Sequence, residues 1–248
     1  MSNVVEIHDL RKVYPEALQP ALDGLSLSVK AHTIFGLLGP NGAGKTTTLH
    51  ILSGLIRSDS GSVSVFGLDA FAETDQIRRR IGVVPQHIAL YPELNAWENL
   101  YYIGQLYGLS RASIKTRATL LLDRLGLMTH ASKRVSRYSG GMKRRANIIA
   151  SLLHEPELII LDEPTAGVDV QSRAMILDFL KDYCKAGRSI IYTSHLLEEA
   201  EQICFDVAIV DEGKFIIGGN PKQLIADTLD CRRLEDVFLY YTGHQVRD

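Results

Sequence analysis

Cysteine is scarce in this chain of 248 residues, and its three cysteines, Cys184, Cys204 and Cys231, are far apart and form no CxxC pair. This spacing excludes a disulfide scaffold and predicts reduced thiols in the cytosol. Long apolar runs are also missing, since none approaches the roughly 20 residues that cross a bilayer. The opening MSNVVEIHDLRK lacks the apolar stretch of a secretion signal. We therefore expect a cytoplasmic protein, and any action at a membrane requires another chain to span it.

Net charge is nearly absent as well. The chain has 27 Lys and Arg against 29 Asp and Glu, a formal charge of −2, which argues against nucleic acid as a partner. One basic run, Lys143-Arg144-Arg145, is conspicuous, and we expect it on a solvated face or in salt bridges, as is usual for charge runs. Hydrophobic residues make up 46% of the chain, which is ordinary for a globular protein with its own core.

Apolar periodicity predicts an α/β protein. Residues 3–38 read as short strands, and the last of them is the apolar run IFGLL. SVSVFG and RIGVVPQ are further strands, and VAIVDEGKFII is typical of a hairpin. The strands LIILDE and SIIYTSH flank a helix over 171–186 that Gly187 ends, a strand–helix–strand unit that indicates parallel pairing. Residues 87–137 differ, because Asn95 followed by Glu98 resembles a capping box and amphipathic helices follow it.

A glycine-rich segment, GPNGAGKT, fits the pattern G-x-x-x-x-G-K-[ST] between an apolar strand and a helix. Its glycines let successive N–H groups point at an anion, and the helix N-terminus adds a positive dipole end. Lys45 places a charge near the β- and γ-phosphates, and the Thr46 hydroxyl suits Mg²⁺. The predicted nucleotide-binding residues of this loop are Gly39, Pro40, Asn41, Gly42, Ala43, Gly44, Lys45, Thr46 and Thr47.

Two adjacent carboxylates, Asp162 and Glu163, end the strand LIIL. Because ligands of parallel α/β sheets gather at the carboxyl ends of strands, we expect both acids to face the same crevice as the phosphate loop. Asp162 suits Mg²⁺ coordination with Thr46 and water, and Glu163 suits polarising a water for in-line attack on the γ-phosphorus. A capping pair at a strand-to-helix turn is the alternative.

A second glycine turn, Ser139-Gly140-Gly141, opens another predicted helix. Ser139 suits its N-cap, and the bare N–H groups of the glycines suit an anion. This loop has no lysine for phosphate and no hydroxyl for magnesium. It is therefore better suited to contact a nucleotide that is bound at another site than to bind one by itself. Taken alone, however, such a turn is more often a plain helix cap. No Asn/Thr-Lys-x-Asp guanine reader occurs, which argues against a GTPase.

The ordered motifs GPNGAGKTT, Gln86, YSGGMKRR, LIILDEP, GVDV and SHLLEEAE resemble the ATP-binding subunit of ABC transporters over essentially the whole chain. The resemblance implies ATP and Mg²⁺ as cofactors and ATP hydrolysis. It implies two cassettes paired head to tail, with ATP between the phosphate loop of one and Ser139, Gly140 and Gly141 of the other. The implied partners are a second copy of the chain and a membrane-spanning permease subunit, which places the protein on the inner face of the cell membrane.

The resemblance also assigns roles to single residues. Tyr14 matches the aromatic that stacks on adenine, and Gln86 the residue that touches Mg²⁺ and the attacking water and links the site to the helical insertion. Glu163 matches the general base, Asp169 the loop aspartate that crosses the dimer interface, and His195 the switch histidine that contacts the γ-phosphate. Without the family, a lone histidine of this kind is more often structural. The implied metal ligands are Thr46, Gln86 and Asp162.

The implied fold is a P-loop NTPase with a mixed or parallel core sheet, an N-terminal antiparallel β-subdomain and an inserted α-helical subdomain. We expect one domain, 1–248. The expected parts are a mainly antiparallel β-subdomain at 1–35, the P-loop ATPase core at 36–86 and 140–220, the helical insertion at 87–139, and a C-terminal helical tail at 221–248.

Aromatic residues crowd the segment after Gln86. We expect most of them to pack the core of the insertion, and Tyr91 and Leu94 to form a groove for a short helix of the membrane subunit. The crowded side chains are Tyr91, Leu94, Trp97, Tyr101 and Tyr102.

YSGGMKRR and LEDVFLYYTG resemble the ATPases of exporters for drugs, lipids, polysaccharides or sodium. Tyr138, Met142 and Val168 replace commoner residues of the family but leave the phosphate-contacting atoms intact. The alternative function is a soluble ABC-type ATPase without a permease. Translation factors of that kind carry two cassettes, and DNA-repair clamps carry long coiled coils, for which 87–137 is too short. A regulatory protein without turnover conflicts with Glu163 and His195.

Overall fold

The computed structural model describes residues 2–15 and 17–243, and these form two sheets with helices around them. The strands are β1 Asn3–Lys12, β2 Leu22–Lys30, β3 Ile34–Leu38, β4 Ser60–Val65, β5 Leu68–Asp69, β6 Ile81–Val84, β7 Leu158–Leu161, β8 Ser189–Ser194, β9 Asp206–Asp211 and β10 Lys214–Gly219. The α-helices are α1 Lys45–Leu52, α2 Thr74–Arg78, α3 Ala96–Leu106, α4 Arg111–Arg124, α5 Gly140–Leu152, α6 Val170–Lys185, α7 Leu197–Ile203, α8 Pro221–Asp227 and α9 Leu234–Thr242.

The larger sheet has six strands in the order β10-β9-β3-β8-β7-β6. All neighbours are parallel except the hairpin pair β9 and β10. Every residue of β3 is buried, with Phe35 and Leu37 in one apolar cluster and Ile34 and Leu38 in another. A central parallel strand is covered on both faces, which is why its sequence is continuously apolar instead of alternating. The predicted mixed core sheet is therefore confirmed.

The smaller sheet is antiparallel, in the order β2-β1-β4-β5. Val5 of β1 pairs with Val29 of β2 on one side and with Val65 of β4 on the other. This sheet takes β4 and β5 from the stretch that we predicted as ATPase core. The reason is the alternation in SGSVSV, which buries Val63 and Val65 in the same cluster as Val5. The boundaries between the subdomains stay predictions.

Helices α3 and α4 account for the predicted helical stretch. The capping box is confirmed, because Glu98 N donates to Asn95 Oδ1 at 3.0 Å and Asn95 N donates to Glu98 Oε2 at 2.8 Å. Buried Leu100 of α3 and Leu122 of α4 belong to the same apolar cluster as Ile149 of α5. This packing places the helical stretch directly against the helix that begins at the second glycine turn.

The remaining predicted elements are also present. The helix predicted over 171–186 is α6, and the predicted hairpin is β9–β10. The predicted tail contains α8 and α9, while residues 244–248 lie outside the described part of the chain. Within residues 2–15 and 17–243, no helix is long and apolar enough to cross a membrane.

Candidate nucleotide-binding site

The glycine-rich loop connects β3 to α1, and its conformation depends on glycine. Gly44 has φ +98°, and a Cβ atom there would lie 2.5 Å from the carbonyl oxygen of Ala21. Gly44 supplies no side-chain cap to α1, so the first N–H groups of the helix lack side-chain acceptors. Uncapped N–H groups at a helix N-terminus are the donors that a phosphate accepts from. The loop therefore has the form of an anion cradle.

Lys45 lies over this cradle. Its Nζ donates to the carbonyl oxygens of Gly39 at 2.8 Å and Pro40 at 3.0 Å. Burial lowers the pKa of the Lys45 ammonium below its ordinary value, while the charges of Glu163 and Asp162 act in the opposite direction. The ammonium satisfies two loop carbonyls with three available donors, which leaves donor capacity for an incoming phosphate oxygen.

The two acids at the end of β7 are positioned by Thr193 of β8. Its hydroxyl donates to Asp162 Oδ1 at 2.7 Å and accepts from the backbone N–H of Glu163 at 3.0 Å. Asp162 Oδ2 in turn accepts from the Thr46 hydroxyl at 2.9 Å, which joins the acids to the phosphate loop as predicted. Sequence reasoning missed Thr193, because a hydroxyl in the apolar strand SIIYTS does not reveal which residues of the neighbouring strand it contacts.

Glu163 is the point where the predicted catalytic side chains converge. Its Oε2 lies 3.2 Å from Gln86 Nε2, and its Oε1 lies 3.3 Å from His195 Nδ1. The backbone of Glu163 has φ +46°, in the left-handed region that a non-glycine residue rarely occupies. Such strain persists only where the surroundings hold it, and it clusters at functional sites. The structure thus brings Gln86, Glu163 and His195 together.

Helix α5 binds the backbone of the segment that contains Gln86. The arginines that make these contacts belong to the basic run Lys143-Arg144-Arg145, so our expectation of a solvated face or salt bridges for that run is wrong for Arg144 and Arg145. Arg144 is buried and donates to the carbonyl oxygens of Pro85 at 3.0 Å and Gln86 at 2.8 Å. Burial lowers the pKa of its guanidinium, while Asp162 and Glu163 act in the opposite direction. Arg145 is also buried and donates to the carbonyl of Leu125 at 2.6 Å. Both arginines bind backbone carbonyls because a fork of donors can satisfy acceptors that face the interior.

An open cavity of about 260 Å³ lies beside the phosphate loop. It is lined by Ala21, residues 41–47, Gln86 and Glu163. Tyr14 is 38% exposed, and its hydroxyl lies 3.4 Å from Thr47 Oγ1, which places the ring next to the loop. An exposed ring beside a phosphate cradle is available to stack on a base.

The second glycine turn lies elsewhere. Ser139 caps α5 by accepting from Met142 N at 3.2 Å, and Ser139 and Gly140 are exposed. Gly141 is buried, and a Cβ there would overlap Ser172 Oγ and Asp169 Oδ2. In the part of the chain that the structure describes, these residues do not line the cavity at the phosphate loop. The phosphate loop and the second glycine turn therefore lie at separate places on one chain.

Asp169 lies beside that turn and caps α6. Its Oδ1 accepts from Ser172 N at 2.9 Å, and the hydrogen bonds from the Ser172 backbone and hydroxyl hold the pKa of this carboxyl below its usual value. The residue is exposed, as is Val170 next to it at 80%. An ionised carboxylate and an apolar side chain thus face outward at one surface loop.

The donor set around Thr46 suits magnesium. Thr46 Oγ1 and Asp162 Oδ2 lie 2.9 Å apart, and the Gln86 amide is close to Glu163 in the same crevice. In residues 2–15 and 17–243 no group of three His, Cys, Asp or Glu side chains could hold a metal by itself. Mg²⁺ in nucleotide sites is held by one or two carboxylates together with substrate phosphates, and hydroxyl and carboxylate oxygens are its preferred ligands.

Comparison with known proteins agrees with this geometry. The profile of the ABC transporter family matches residues 22–166. The linearmycin resistance ATP-binding protein LnrL of Bacillus subtilis (strain 168) is 45% identical over 231 residues, which cover 93% of this chain and 72% of the relative. The Nod factor export ATP-binding protein I of Cupriavidus metallidurans is 40% identical over 95% of this chain and 77% of its own length.

A solved structure is similar over nearly all of its own length. A dimeric ATP-binding cassette in a post-hydrolysis state, bound to ADP and Pi, superposes with a TM-score of 0.80 at 25% identity, covering 87% of this chain and 98% of that one. The family profile contains the phosphate loop, Gln86 and the two acids Asp162 and Glu163. Tyr14, Thr193 and His195 lie outside the matched residues. The geometry of the site agrees with these similarities, and the chain belongs to the ABC transporter family as an ATP-binding, ATP-hydrolysing subunit.

Proposed function

We propose that two copies of this chain close on ATP and that their opening and closing drives a membrane-spanning permease in the direction of export. The convergence of Gln86 and His195 on Glu163, 3.2 and 3.3 Å away, carries the catalytic part of the proposal. The LnrL and Nod factor export relatives support export by their names. The protein then acts in the cytoplasm, peripheral on the inner face of the membrane, and nucleic acid is not a partner.

In this proposal the phosphate loop holds the triphosphate and Glu163 acts on water. Lys45 and the N–H groups of the loop bind the β- and γ-phosphates, and Tyr14 stacks on the adenine. Glu163 accepts a proton from the attacking water, Gln86 orients that water, and His195 contacts the γ-phosphate. Thr46, Asp162 and Gln86 would hold Mg²⁺, which would neutralise charge on the phosphate oxygens when bound. Catalysis then depends mainly on positioning and charge stabilisation.

The dimer is proposed from the two separated anion-binding turns. Ser139 and Gly140 are exposed on a surface that also presents Asp169 and Val170, and they do not reach their own phosphate loop. A second copy supplies the missing half, so that Ser139, Gly140 and Gly141 of one chain close over the γ-phosphate held by the other. The similarity of this chain to an ATP-binding cassette that was solved as a dimer with ADP and Pi supports the proposed arrangement.

The exposed tyrosines after Gln86 are the proposed contact for the permease. Tyr91 is 51% exposed and packs edge-on against Tyr102, with ring centroids 5.2 Å apart. Buried Asn99 accepts from Tyr91 N at 2.8 Å and donates to Tyr91 O at 3.0 Å, so the backbone that presents this ring is held firmly. Leu94, half-buried, completes the groove.

Glu163→Gln tests the catalytic proposal. Loss of a positioned general base lowers turnover about 10²- to 10⁴-fold, while ATP affinity is retained because the phosphate loop is intact. We expect the variant to accumulate an ATP-bound dimer in size-exclusion chromatography with light scattering. Asp178→Asn, an exposed acid on α6, is the matched control and should hydrolyse ATP normally. Normal steady-state hydrolysis by Glu163→Gln would contradict the assignment.

Site-specific cross-linking tests the permease contact. A Tyr91→Cys variant carrying a short cross-linker should capture a multi-span protein in membranes from the source cells. Leu229→Cys, 76% exposed in the C-terminal segment, is the control and should capture none. Capture through position 229 and not through position 91 would place the membrane partner on another face.

A further inference from the structure

Buried Thr165 and Tyr192 and partly exposed Arg173 meet at the buried carboxylate of Glu199, and the mechanism above uses none of these four side chains. Glu199 Oε2 accepts a hydrogen bond from Thr165 Oγ1 at 2.6 Å and another from the Tyr192 hydroxyl. Its other oxygen, Oε1, lies 3.1 Å from Nε of Arg173. Glu199 is 5% exposed, Thr165 2% and Tyr192 0%. We call these four side chains the Glu199 network.

Each member of the Glu199 network lies close in sequence to a residue of the proposed site. Thr165 follows Glu163 by two positions, and Arg173 follows Asp169 by four, with its N–H bonded to the Asp169 carbonyl at 2.9 Å. Tyr192 precedes His195 by three positions and Glu199 follows it by four. One carboxylate therefore joins the segments that carry the general base, the switch histidine and the interface aspartate.

The turn that carries His195 is bounded on both sides by this network. Tyr192 is near the end of β8, and Glu199 is in the first turn of α7. Between them the turn is closed by the bond from Leu196 N to Ser194 Oγ at 2.9 Å. The His195 ring itself is partly exposed and reaches Glu163. The bond between Tyr192 and Glu199 thus spans the base of the turn from which His195 projects.

The chemistry of the network favours a specific arrangement over simple space filling. Burial raises the pKa of the Tyr192 phenol, and the neighbouring Glu199 charge raises it further, so the hydroxyl stays a donor. A buried carboxylate destabilises the folded protein unless it is paired. Replacing a buried ion pair by apolar side chains of similar volume often leaves the stability of the protein unchanged or raises it. Glu199 Oε2 accepts two hydrogen bonds, whereas Oε1 faces Arg173 as an ion pair without a hydrogen bond. The two hydrogen bonds are directional and favour one geometry of the carboxylate.

We propose that Glu199 is a positioning residue of the ATPase reaction, which sets the place of His195 relative to Glu163 and, through Arg173, relative to Asp169. The inference rests on the roles proposed above for those three residues. Glu199 touches no nucleotide in this arrangement and acts through the His195 turn. Its loss should therefore reduce the rate of hydrolysis and leave ATP binding to the phosphate loop unchanged.

Glu199→Gln is the first test, because it keeps an acceptor for Thr165 and Tyr192 but removes the charge that faces Arg173. We expect kcat to fall about tenfold, the scale of a small misplacement at a reacting centre, with KM for ATP within about twofold. Glu198→Gln is the matched control, since that side chain is 74% exposed and its nearest cation, Arg233, is 3.9 Å away. An unchanged kcat in Glu199→Gln overturns the proposal.

The double variant with His195→Ala separates positioning from general destabilisation. Single-turnover hydrolysis of γ-labelled ATP measures slow variants. If Glu199 acts through His195, adding Glu199→Gln to the His195→Ala protein lowers its rate by less than about twofold. The reason is that the effects of residues that act as a unit are not additive. A further full tenfold loss overturns the proposal. Normal hydrolysis by His195→Ala alone instead contradicts the role of His195, which is a separate failure.

Tyr192→Phe keeps the test decisive if Glu199→Gln does not fold. It removes only the hydroxyl that spans the His195 turn and retains the buried ring. We expect a lower kcat with KM unchanged, and a melting temperature lower by a few degrees, because a buried carboxylate loses one hydrogen bond. A wild-type kcat in a folded Tyr192→Phe protein overturns the proposal.

Discussion

Charged side chains are buried at this site, and each has a partner that explains why burial is tolerated. Lys45 satisfies two loop carbonyls, Arg144 satisfies the carbonyls of Pro85 and Gln86, and Asp162 accepts from two hydroxyls. A buried charge without such partners costs several kcal/mol. Because the partners are donors and acceptors from different segments, each charge also fixes how those segments lie together.

Lys45→Ala tests the cradle at the level of one ammonium. A hydrogen bond to a charged group contributes about 1.5–3 kcal/mol, so we expect a roughly 10- to 150-fold higher Kd for ATP. Isothermal titration calorimetry measures this directly. Lys133→Ala, an exposed lysine, should bind ATP as the wild-type protein does. Unchanged affinity in Lys45→Ala would mean that the loop does not hold the triphosphate.

Thr193→Val tests the hydroxyl that joins the two acids. The substitution keeps the shape but leaves Asp162 Oδ1 and the N–H of Glu163 without this partner. We expect a loss of about 1–3 kcal/mol in the free energy of unfolding, read from denaturant titration, together with slower ATP hydrolysis. Thr193→Ser restores the hydroxyl and should recover most of both. Equal losses in the Val and Ser variants would show that the methyl group, and not the hydroxyl, matters.

At the scale of elements, the segment from Pro85 to Asn95 is the connection between the ATPase crevice and the helical stretch. Arg144 and Asn147 of α5 bind its beginning, since Asn147 Oδ1 accepts from Ala89 N at 3.0 Å. Asn99 of α3 binds its end. A segment bonded on one side to the site and on the other to an exposed aromatic surface can transmit a displacement between them.

Arg144→Met tests this connection. The methionine fills much of the volume but releases the carbonyls of Pro85 and Gln86, so the segment should open more often. Hydrogen–deuterium exchange should rise in residues 85–91, and we expect ATP hydrolysis to fall about tenfold as Gln86 loses its position. Lys143→Met, the half-buried neighbour, is the control. If exchange in 85–91 stayed at the wild-type level, Arg144 would not be what holds the segment.

At the scale of the whole molecule, the phosphate loop and the second glycine turn, which we propose as the two anion-binding turns, do not meet within one copy. The phosphate loop lines its cavity with Gln86 and Glu163, while Ser139 and Gly140 lie exposed beside Asp169. A head-to-tail pair that exchanges these surfaces produces two equivalent composite sites. The activity of such a pair therefore depends on one intact half from each chain.

Mixing two inactive variants tests the composite site. Lys45→Ala weakens ATP binding by the phosphate loop, and Ser139→Arg disables the second turn. At an ATP concentration that saturates the wild-type loop but lies well below the Kd of Lys45→Ala, each variant alone should be nearly inactive. In an equal mixture about half of the dimers are mixed, and each has one intact site, so we expect activity up to about a quarter of the wild-type rate. Colorimetric phosphate release measures it. A mixture that stays inactive, while mixed dimers are detected, argues against sites shared between chains.

Local patterns in the sequence were sufficient to predict where the strands, the longer helices, the glycine-rich loop and the two adjacent acids lie along the chain, because each of these features depends on residues close in sequence. The basic run was the opposite case: composition predicted a solvated face, whereas Arg144 and Arg145 are buried against carbonyls. The membership of β4 and β5 in the antiparallel sheet and the roles of Thr193 and Glu199 were also out of reach. These depend on contacts between residues about 20 to 60 positions apart, such as Arg145 with Leu125 and Val5 with Val65. No local periodicity encodes such contacts, and only the folded chain brings these segments together.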